Sequence, residues 1–291
     1  MTISPWLMAA RPRTLAVSVT PVIVGLALAW AMHGEVNWLA GLAALVASLC
    51  IQLGTNLHND AVDSELGGDG PDRVGPSRVT ALGLLSAPAV KRGAAACFAV
   101  AALMGLYLIA VGGWPILLLG LLSIAAGWAY TGGRWPIAYT PFGEFFVIAF
   151  FGVGAVGGTY WLCTAHLDAP ALAAGFAIGL ITGAVLLVNN ARDVEADARV
   201  GRRTLAIVAG PQGSGLIFAA LMLLPYMLLP MIGRALPQGH VWPALIALPA
   251  ALVLIYRFLR EPPGRGFNRI LARTVQIQVL FSLLLSAGLV L

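Results

Sequence analysis

Two groups of carboxylate and carboxamide residues stand out in an otherwise apolar chain. The first lies in the stretch NLHNDAVDSELGGD, residues 56–69, directly after a long and nearly uncharged run. Because its polar members are spaced by three and four residues, they share one face if the preceding helix continues into the stretch. These members are Asn56, Asn59, Asp60 and Asp63. Asp69 follows Gly67–Gly68, where the chain can turn back.

The second group lies in NNARDVEAD, residues 189–197, and also follows an apolar run. Three of its members are four residues apart, which predicts a second helical stripe. They are Asn189, Asp193 and Asp197, with Asn190 beside them. We expect Arg192 to point away from this stripe.

These residue types favour a site for a hard metal ion. Like charges at helix spacing repel one another, and the cost rises near a membrane, so a cation is expected to offset it. Carboxylate and amide oxygens suit Mg²⁺, which commonly binds through one or two carboxylates, waters and phosphate oxygens. A solvated helix end explains one such group equally well, but two groups together favour metal ions around a diphosphate.

The segments that follow the two groups resemble each other. GPSRVTALG (75–83) and GRRTLAIVAG (201–210) each place Arg near Thr and then an apolar run. This weak repeat predicts a single transmembrane domain with two related halves, about 1–140 and 141–291. Arg78, Arg202 and Arg203 are candidates to bind phosphate oxygens. For any one of them, anchoring at a membrane surface is an equally good explanation.

The composition requires a membrane protein. Of 291 residues, 59% are hydrophobic and only 10% are charged, whereas soluble domains carry about 25% charged residues. Nine apolar segments are each close to the length that crosses a bilayer, and we predict all of them to be helices. They are residues 15–33, 38–58, 94–111, 114–130, 143–162, 170–190, 214–233, 241–259 and 275–291.

The charges predict how the chain is oriented. With the N-terminus placed in the cytoplasm, every Lys and Arg except Arg234 lies on the cytoplasmic side. Of the carboxylates, only Glu35 and Asp168 lie on the opposite side. We therefore expect an integral protein of the inner (cytoplasmic) membrane, with membrane lipid around it and no nucleic-acid partner. Both polar groups then face the cytoplasm.

With these motifs, the chain resembles the UbiA superfamily of intramembrane prenyltransferases, and within it the MenA-like branch, the 1,4-dihydroxy-2-naphthoate polyprenyltransferases of menaquinone synthesis. The resemblance runs nearly end to end. It rests on ARPRTLAVSVTPVIVG (10–25), TNLHNDAVDSELGGDGPDRVGPSRVT (55–80), AYTGGRWPIAYTPFGE (129–144), FFGVGAVGGTYW (150–161) and NNARDVEADARVGRRTLAI (189–207).

The resemblance implies an all-α fold of about nine transmembrane helices around a central cavity. It also implies that Mg²⁺ is held by Asn59, Asp63, Asp69, Asp193 and Asp197. Where the family's first motif ends in an acid, this chain has Gly67, and Asp69 takes its place. Asp60, Asn189, Asn190 and Arg203 are expected to assist binding. The YTGG loop, Tyr130 to Gly133, is expected to close over the site, and Tyr130 and Tyr139 are candidates to contact the substrate.

The implied reaction transfers a polyprenyl group from its diphosphate to 1,4-dihydroxy-2-naphthoate with loss of the carboxylate. Asp63, Asp193, Arg78 and Arg202 are the candidate catalytic residues. Another aromatic acceptor, such as 1,4-dihydroxy-6-naphthoate, homogentisate or 4-hydroxybenzoate, is an open alternative. A secondary transporter is a third, although its charges would be expected near mid-membrane. The sequence leaves the acceptor, the prenyl length and the oligomeric state undetermined.

Overall fold

The computed structural model describes residues 4–67, 74–76, 78–234, 236, 240–262 and 264–291. All regular structure in this part of the chain is helical. The α-helices are α1 (Pro5–Ala10), α2 (Pro12–His33), α3 (Trp38–Glu65), α4 (Ala87–Ala129), α5 (Gly143–Val147), α6 (Ala155–Thr164), α7 (Ala169–Arg192), α8 (Val194–Arg199), α9 (Leu205–Gly233), α10 (Leu248–Arg260) and α11 (Phe267–Val290). Short 3₁₀ helices cover Ile137–Tyr139 and Trp242–Ala247, and a π-helical segment covers Ile148–Gly154.

Eight helical segments of the described chain are long and apolar enough to cross a membrane. The predicted spans 94–111 and 114–130 both fall within α4, and this accounts for the difference from nine. At Gly113 the backbone leaves helical geometry (φ 70°, ψ −156°), so α4 is two spans joined at a kink. The predicted all-α, multi-pass membrane fold is confirmed.

The bundle is organised around α7. This helix is apolar on all sides, as expected for one surrounded by protein, and most of its residues are buried. It packs against α9, α11 and the π-helical segment. By contrast, α4 carries many exposed leucines and packs mainly against α3. The outer surface of α4 is therefore the natural contact for lipid chains.

Small residues allow α7 to approach the π-helical segment closely. A Cβ atom added to Gly152 would lie 2.4 Å from the carbonyl oxygen of Gly175 and 2.5 Å from the Cα of Gly179. Backbone atoms cannot yield to such a clash as a flexible side chain can. The absence of a side chain at Gly152 therefore permits the close packing of α7 against the π-helical segment.

The second polar group does not follow one uninterrupted helix. Helix α7 ends at Arg192, and Asp193 (φ −101°, ψ 11°) joins it to α8. Backbone hydrogen bonds still cross the junction, from Asp193 N to Asn189 O at 3.2 Å and from Asp197 N to Asp193 O at 2.8 Å. The predicted stripe therefore bends at Asp193, which redirects the side chains around it.

Candidate active site

A cavity of about 500 Å³ lies inside the bundle, between α2, α3, α4, α6 and α7. Its walls are mostly apolar along the length of α4, and polar side chains gather at one end. The polar side chains at that end are Arg11, Asn56, Asn59, Asp63, Arg78, Asn189, Asn190 and Arg202. Both predicted polar groups thus contribute to the wall of one cavity.

Asp63 is the centre of the charged end. Its side chain is only 4% exposed, and it accepts hydrogen bonds from two arginines. Arg78 Nη2 lies 2.5 Å from Oδ2, and Arg202 Nη2 lies 2.6 Å from Oδ1. These arginines follow the first and the second polar group in the sequence, so Asp63 joins the two halves of the site. These two charge-assisted hydrogen bonds offset the cost of burying the carboxylate away from water.

Arg202 also connects Asp63 to the second group. Its Nη1 donates to Asp197 Oδ1 at 3.0 Å, and its guanidinium lies 5.0 Å from the centre of the Tyr139 ring. Burial would lower the pKa of Arg202, but the carboxylates of Asp63 and Asp197 overcome that effect and raise it. Burial raises the pKa of Asp197 to about 6, although Arg202 acts in the opposite direction. Beside the cavity, Arg202 therefore holds a carboxylate that a further cation would stabilise.

Asp193 has a different partner. Arg192, expected to point elsewhere, instead donates to both Asp193 oxygens, from Nε at 2.9 Å and from Nη2 at 2.5 Å. The same guanidinium reaches Asn189 Oδ1 at 2.9 Å and Asn268 Oδ1 on α11 at 3.0 Å. That expectation assumed a straight helix and is wrong because the chain bends at Asp193. No sequence signal identified Asn268, which lies in an ordinary helix start.

The carboxamides have fixed partners of their own. Asn59 Oδ1 accepts from the Thr131 hydroxyl at 2.7 Å, which ties α3 to the loop after α4. Asn190 Nδ2 donates to Glu144 Oε1 at 2.9 Å, and both side chains are buried. Thr131 belongs to the YTGG loop, residues 130–133, and the family resemblance of this loop was the sequence signal that could have identified Thr131. Tyr130 of this loop lines the cavity.

Five described candidate residues lie outside the cavity wall, namely Asp60, Tyr139, Asp193, Asp197 and Arg203. Of these, Asp193 and Asp197 are held by Arg192 and Arg202. Both Asp60 oxygens accept hydrogen bonds from the loop after α3: from Val79 N at 3.2 Å, Thr80 N at 3.0 Å and Thr80 Oγ1 at 2.7 Å. Arg203 is exposed, and its backbone N–H donates to Tyr139 O at 3.1 Å. Asp69 lies outside the described residues. Asp60 therefore positions the segment that carries Arg78, whereas Arg203 faces solvent.

The charged end is suited to a phosphorylated ligand with metal ions. Asp63, Asp193 and Asp197 supply carboxylate oxygens, and Asn59 and Asn189 supply amide oxygens, a donor set that fits a hard divalent cation. Three arginines, Arg78, Arg192 and Arg202, hold these carboxylates, and a guanidinium is also a favourable donor group for phosphate oxygens. An apolar cavity of this size beside them accommodates a hydrocarbon chain.

The helical membrane bundle, its charged end and its apolar cavity together define a class of membrane protein that can bind a phosphorylated ligand with a hydrocarbon chain. The profile of the UbiA prenyltransferase family matches residues 18–270. Identity is 33% over 282 residues to the 1,4-dihydroxy-2-naphthoate octaprenyltransferase of Bacillus subtilis, across 96% of this chain and 90% of that protein. It is 36% over 247 residues to the protein of the same name from Mycobacterium tuberculosis, across 85% and 83%.

The fold agrees with this match. A UbiA homolog from Archaeoglobus fulgidus, with a structure determined bound to GPP and Mg²⁺, superposes with a TM-score of 0.73. The sequences are 15% identical, and the superposition covers 99% of each chain. The chain belongs to the UbiA prenyltransferase family, and the resemblance seen in its motifs is confirmed.

Proposed function

We propose that this protein transfers a polyprenyl group from polyprenyl diphosphate to 1,4-dihydroxy-2-naphthoate, with loss of the carboxylate, giving demethylmenaquinol. The bacterial relatives named above support this acceptor. The observation that carries the proposal is the pairing of Asp63 with Arg78 and Arg202 at the polar end of a long apolar cavity. One end recognises a diphosphate, and the other receives its hydrocarbon tail.

We propose Mg²⁺ as the metal, held by Asn59, Asp63, Asn189, Asp193 and Asp197. When bound, it neutralises the negative charge that builds up on the departing diphosphate. Asp69 stays in the proposed ligand set as a prediction, because it lies outside the described residues. Asp60 is not in this set, since its oxygens already accept three hydrogen bonds from residues 79 and 80.

The arginines supply a second source of charge stabilisation. In the structure Arg78 and Arg202 are held by Asp63. A guanidinium matches phosphate geometry through two parallel hydrogen bonds, so we propose both arginines as phosphate ligands. As the prenyl C–O bond breaks, the electron pair leaves on the diphosphate. Fixed donors aimed at those oxygens lower the barrier without reorganisation during the reaction.

The apolar cavity controls what captures the prenyl cation. Water is excluded by the apolar walls, so the electron-rich naphthoate ring is the nucleophile that remains. The ring carbon bearing the carboxylate forms the new C–C bond. Carbon dioxide then leaves, and the electrons of its bond restore the aromatic ring.

The same cavity can accept a tail longer than its own volume. Leu106 and Leu121 line the cavity and are also 66% and 60% exposed on the outer surface of α4. The cavity therefore reaches the lipid-facing side of the bundle, and distal isoprene units can extend into the bilayer. This supports membrane lipid as the surrounding partner and explains why the chemistry is embedded in a membrane protein.

We further propose that the charged end faces the cytoplasm in the inner membrane. The arginines of this end lie with nearly all the other basic residues of the chain. That distribution is the one that retains connecting segments on the cytoplasmic side. A water-soluble naphthoate and Mg²⁺ would then enter from the cytoplasm, while the polyprenyl chain enters from the bilayer.

The test is product analysis with purified full-length protein in detergent, Mg²⁺ and octaprenyl diphosphate. Each aromatic acid is supplied separately: 1,4-dihydroxy-2-naphthoate, 1,4-dihydroxy-6-naphthoate, homogentisate and 4-hydroxybenzoate. We expect prenylated product and one equivalent of CO₂ with the first acid alone, detected by mass spectrometry. Preference for another acid would overturn the acceptor assignment. Flux across proteoliposomes with no product from any acid would overturn the enzyme assignment.

A further inference from the structure

At the end of the bundle opposite the charged cavity, a second set of polar residues converges. His33 is the last residue of α2, and His166 and Asp168 lie in the connection between α6 and α7. The ring nitrogens and a carboxylate oxygen of these three residues lie within 4.8 Å of one another. With Tyr160 beneath them, they form what we call the far-end cluster, and the proposed function does not use it.

The orientation of His166 is fixed by its hydrogen bonds. Nδ1 lies 2.6 Å from the carbonyl oxygen of Thr164, which can only accept a hydrogen bond, so Nδ1 carries the proton. In the neutral ring Nε2 then holds a lone pair, and it faces Asp168 Oδ2 at 3.5 Å. Two acceptors facing each other need a cation between them. A hydrogen bond donated by the other ring N–H to a backbone carbonyl is also the usual support for a metal-binding histidine.

The distances fit a metal ion better than a direct contact. A separation of 3.5 Å is too long for an ordinary hydrogen bond. Zinc bonds of roughly 2.0–2.1 Å at tetrahedral angles place neighbouring ligand atoms about 3.4 Å apart. His33 Nε2 lies 3.9 Å from the same Asp168 oxygen. His33 Nε2 also contacts the Tyr160 hydroxyl. A rotation of this partly exposed ring, with its proton on Nδ1, would release Nε2 from Tyr160 and complete the set.

The surrounding chain is shaped to present these groups. Ala165 adopts a left-handed conformation (φ 58°), which is uncommon for a residue with a Cβ and turns His166 towards Asp168. Asp168 stands at the N-cap of α7, yet its side chain makes no capping hydrogen bond there. Its Oδ2 instead accepts from the Tyr160 hydroxyl, which also lies 2.8 Å from His33 Nε2. Tyr160 is fully buried and holds the other two side chains in place.

We infer that the far-end cluster binds a divalent transition-metal ion of the zinc class through His33, His166 and Asp168, with Tyr160 as a positioning residue. Two imidazoles and one carboxylate with an open fourth position favour Zn²⁺ over Mg²⁺, which prefers oxygen ligands. The ion would join the end of α2 to the α6–α7 connection, on the membrane face away from the charged cavity. The inference is independent of the proposed catalytic function.

The test is a titration of the full-length protein with Zn²⁺, and in parallel with Co²⁺, whose absorption spectrum reports tetrahedral geometry. Excess Mg²⁺ is kept present so that the oxygen ligands of the cavity stay occupied. The wild-type protein should bind one equivalent of metal and show the tetrahedral Co²⁺ spectrum. H33Q and H166Q should each weaken binding by about 100-fold or more, since each removes one of three ligands.

Two further variants separate a built site from general surface binding. Y160F removes only the supporting hydroxyl and should weaken Zn²⁺ binding by about 10-fold. H240Q removes an exposed histidine near the same end of the bundle and should leave the affinity within about twofold. Prenyl transfer by H166Q should match the wild type, which confirms that the variant is folded.

Three results would overturn the inference. In one, the wild-type protein shows no saturable equivalent of Zn²⁺, and His166 and Asp168 are then an ion pair held by a proton. In the second, H33Q and H166Q bind as tightly as the wild type. In the third, H240Q loses as much affinity as they do, and surface histidines then bind the metal without a defined site.

Discussion

The two polar clusters at the charged end contain the same residue types but are built differently. Asp63 projects from α3, a straight helix, and is held by arginines from both halves of the chain. Asp193 sits at the bend between α7 and α8 and is held by its immediate neighbour, Arg192. We call Asp63 with Arg78 and Arg202 the hub, because these residues connect the two halves of the chain. We call Asp193 with Arg192 the hinge, because they lie at the bend between two helices. Two motifs with the same residue types need not contribute equally to the rate of the reaction.

The largest expected effect comes from removing the hub. Asp63→Ala takes away a proposed metal ligand and leaves two largely buried guanidinium groups without their shared carboxylate. We expect kcat/KM for prenyl transfer to fall by about 10³-fold or more. Asp193→Ala leaves Arg192 with Asn189 and Asn268 as partners. Its loss should be smaller, about 10²-fold.

Steady-state kinetics over a range of Mg²⁺ concentrations measures both variants. Each should retain its elution volume in gel filtration, so that activity is compared between folded proteins. Equal losses, or a greater loss for Asp193→Ala, would contradict the distinction between hub and hinge. Activity that survives EDTA treatment of the wild type would contradict the metal assignment itself.

The sequence predicted the spans well, because apolar runs of bilayer length are strong local signals. Carboxylates at helix spacing predicted the residues of the candidate site, and their roles stay a prediction. Two features could not be predicted. The bend at Asp193, where α7 ends and α8 begins, has no signal in the helical spacing of the acids, and it determines the direction of Arg192. The capture of Asp60 by residues 79 and 80 is a tertiary contact without a local pattern.

The two halves are joined by Arg202, and its removal should give the next largest effect. Arg202→Gln breaks contacts with Asp63 and Asp197 and removes a proposed phosphate ligand. We expect kcat/KM to fall by about 10²- to 10³-fold, as when one fixed donor to a developing anion is lost. Arg202→Lys should rescue little, because an ammonium cannot reach both carboxylates with two parallel donors.

Kinetics with varied polyprenyl diphosphate separate binding from chemistry for this residue. A rise in KM alone would mean that Arg202 only binds substrate in its ground state. We expect kcat to fall as well. Arg192→Gln is the matched comparison, since its guanidinium contacts one carboxylate rather than two. A greater loss for Arg192→Gln than for Arg202→Gln would reverse the roles assigned to hinge and hub.

Asp60 should affect stability more than chemistry. Its carboxylate is 1% exposed and accepts three hydrogen bonds from Val79 and Thr80. The side chain of Asp60→Asn has only one oxygen that can accept a hydrogen bond, because its amide nitrogen only donates. At least one donor from residues 79 and 80 is then left without its partner, and an unsatisfied buried group costs about 1–3 kcal/mol. The thermal unfolding temperature in detergent should fall, while kcat per folded molecule changes by only a few-fold.

Glu65→Gln, at an exposed ion pair with Lys91, is the control, and both its unfolding temperature and its kcat should change little. A loss of kcat as large as that of Asp63→Ala at unchanged stability would return Asp60 to the catalytic set.

The smallest effect on activity is expected at Arg203. Arg203 follows Arg202 directly, and from the sequence both were candidates for phosphate binding. In the structure only Arg202 reaches the cavity, and the Arg203 side chain is exposed. Arg203→Gln should therefore leave kcat/KM within about twofold, the range expected for a surface substitution. The same assay that measures Arg202→Gln checks it, with salt held constant because an exposed charge also affects substrate approach.

If the two variants lost activity equally, the loop that carries them would have to rearrange on substrate binding and bring Arg203 to the diphosphate. The contrast between these neighbours thus tests whether the cavity wall in this structure is already the one that meets the substrate.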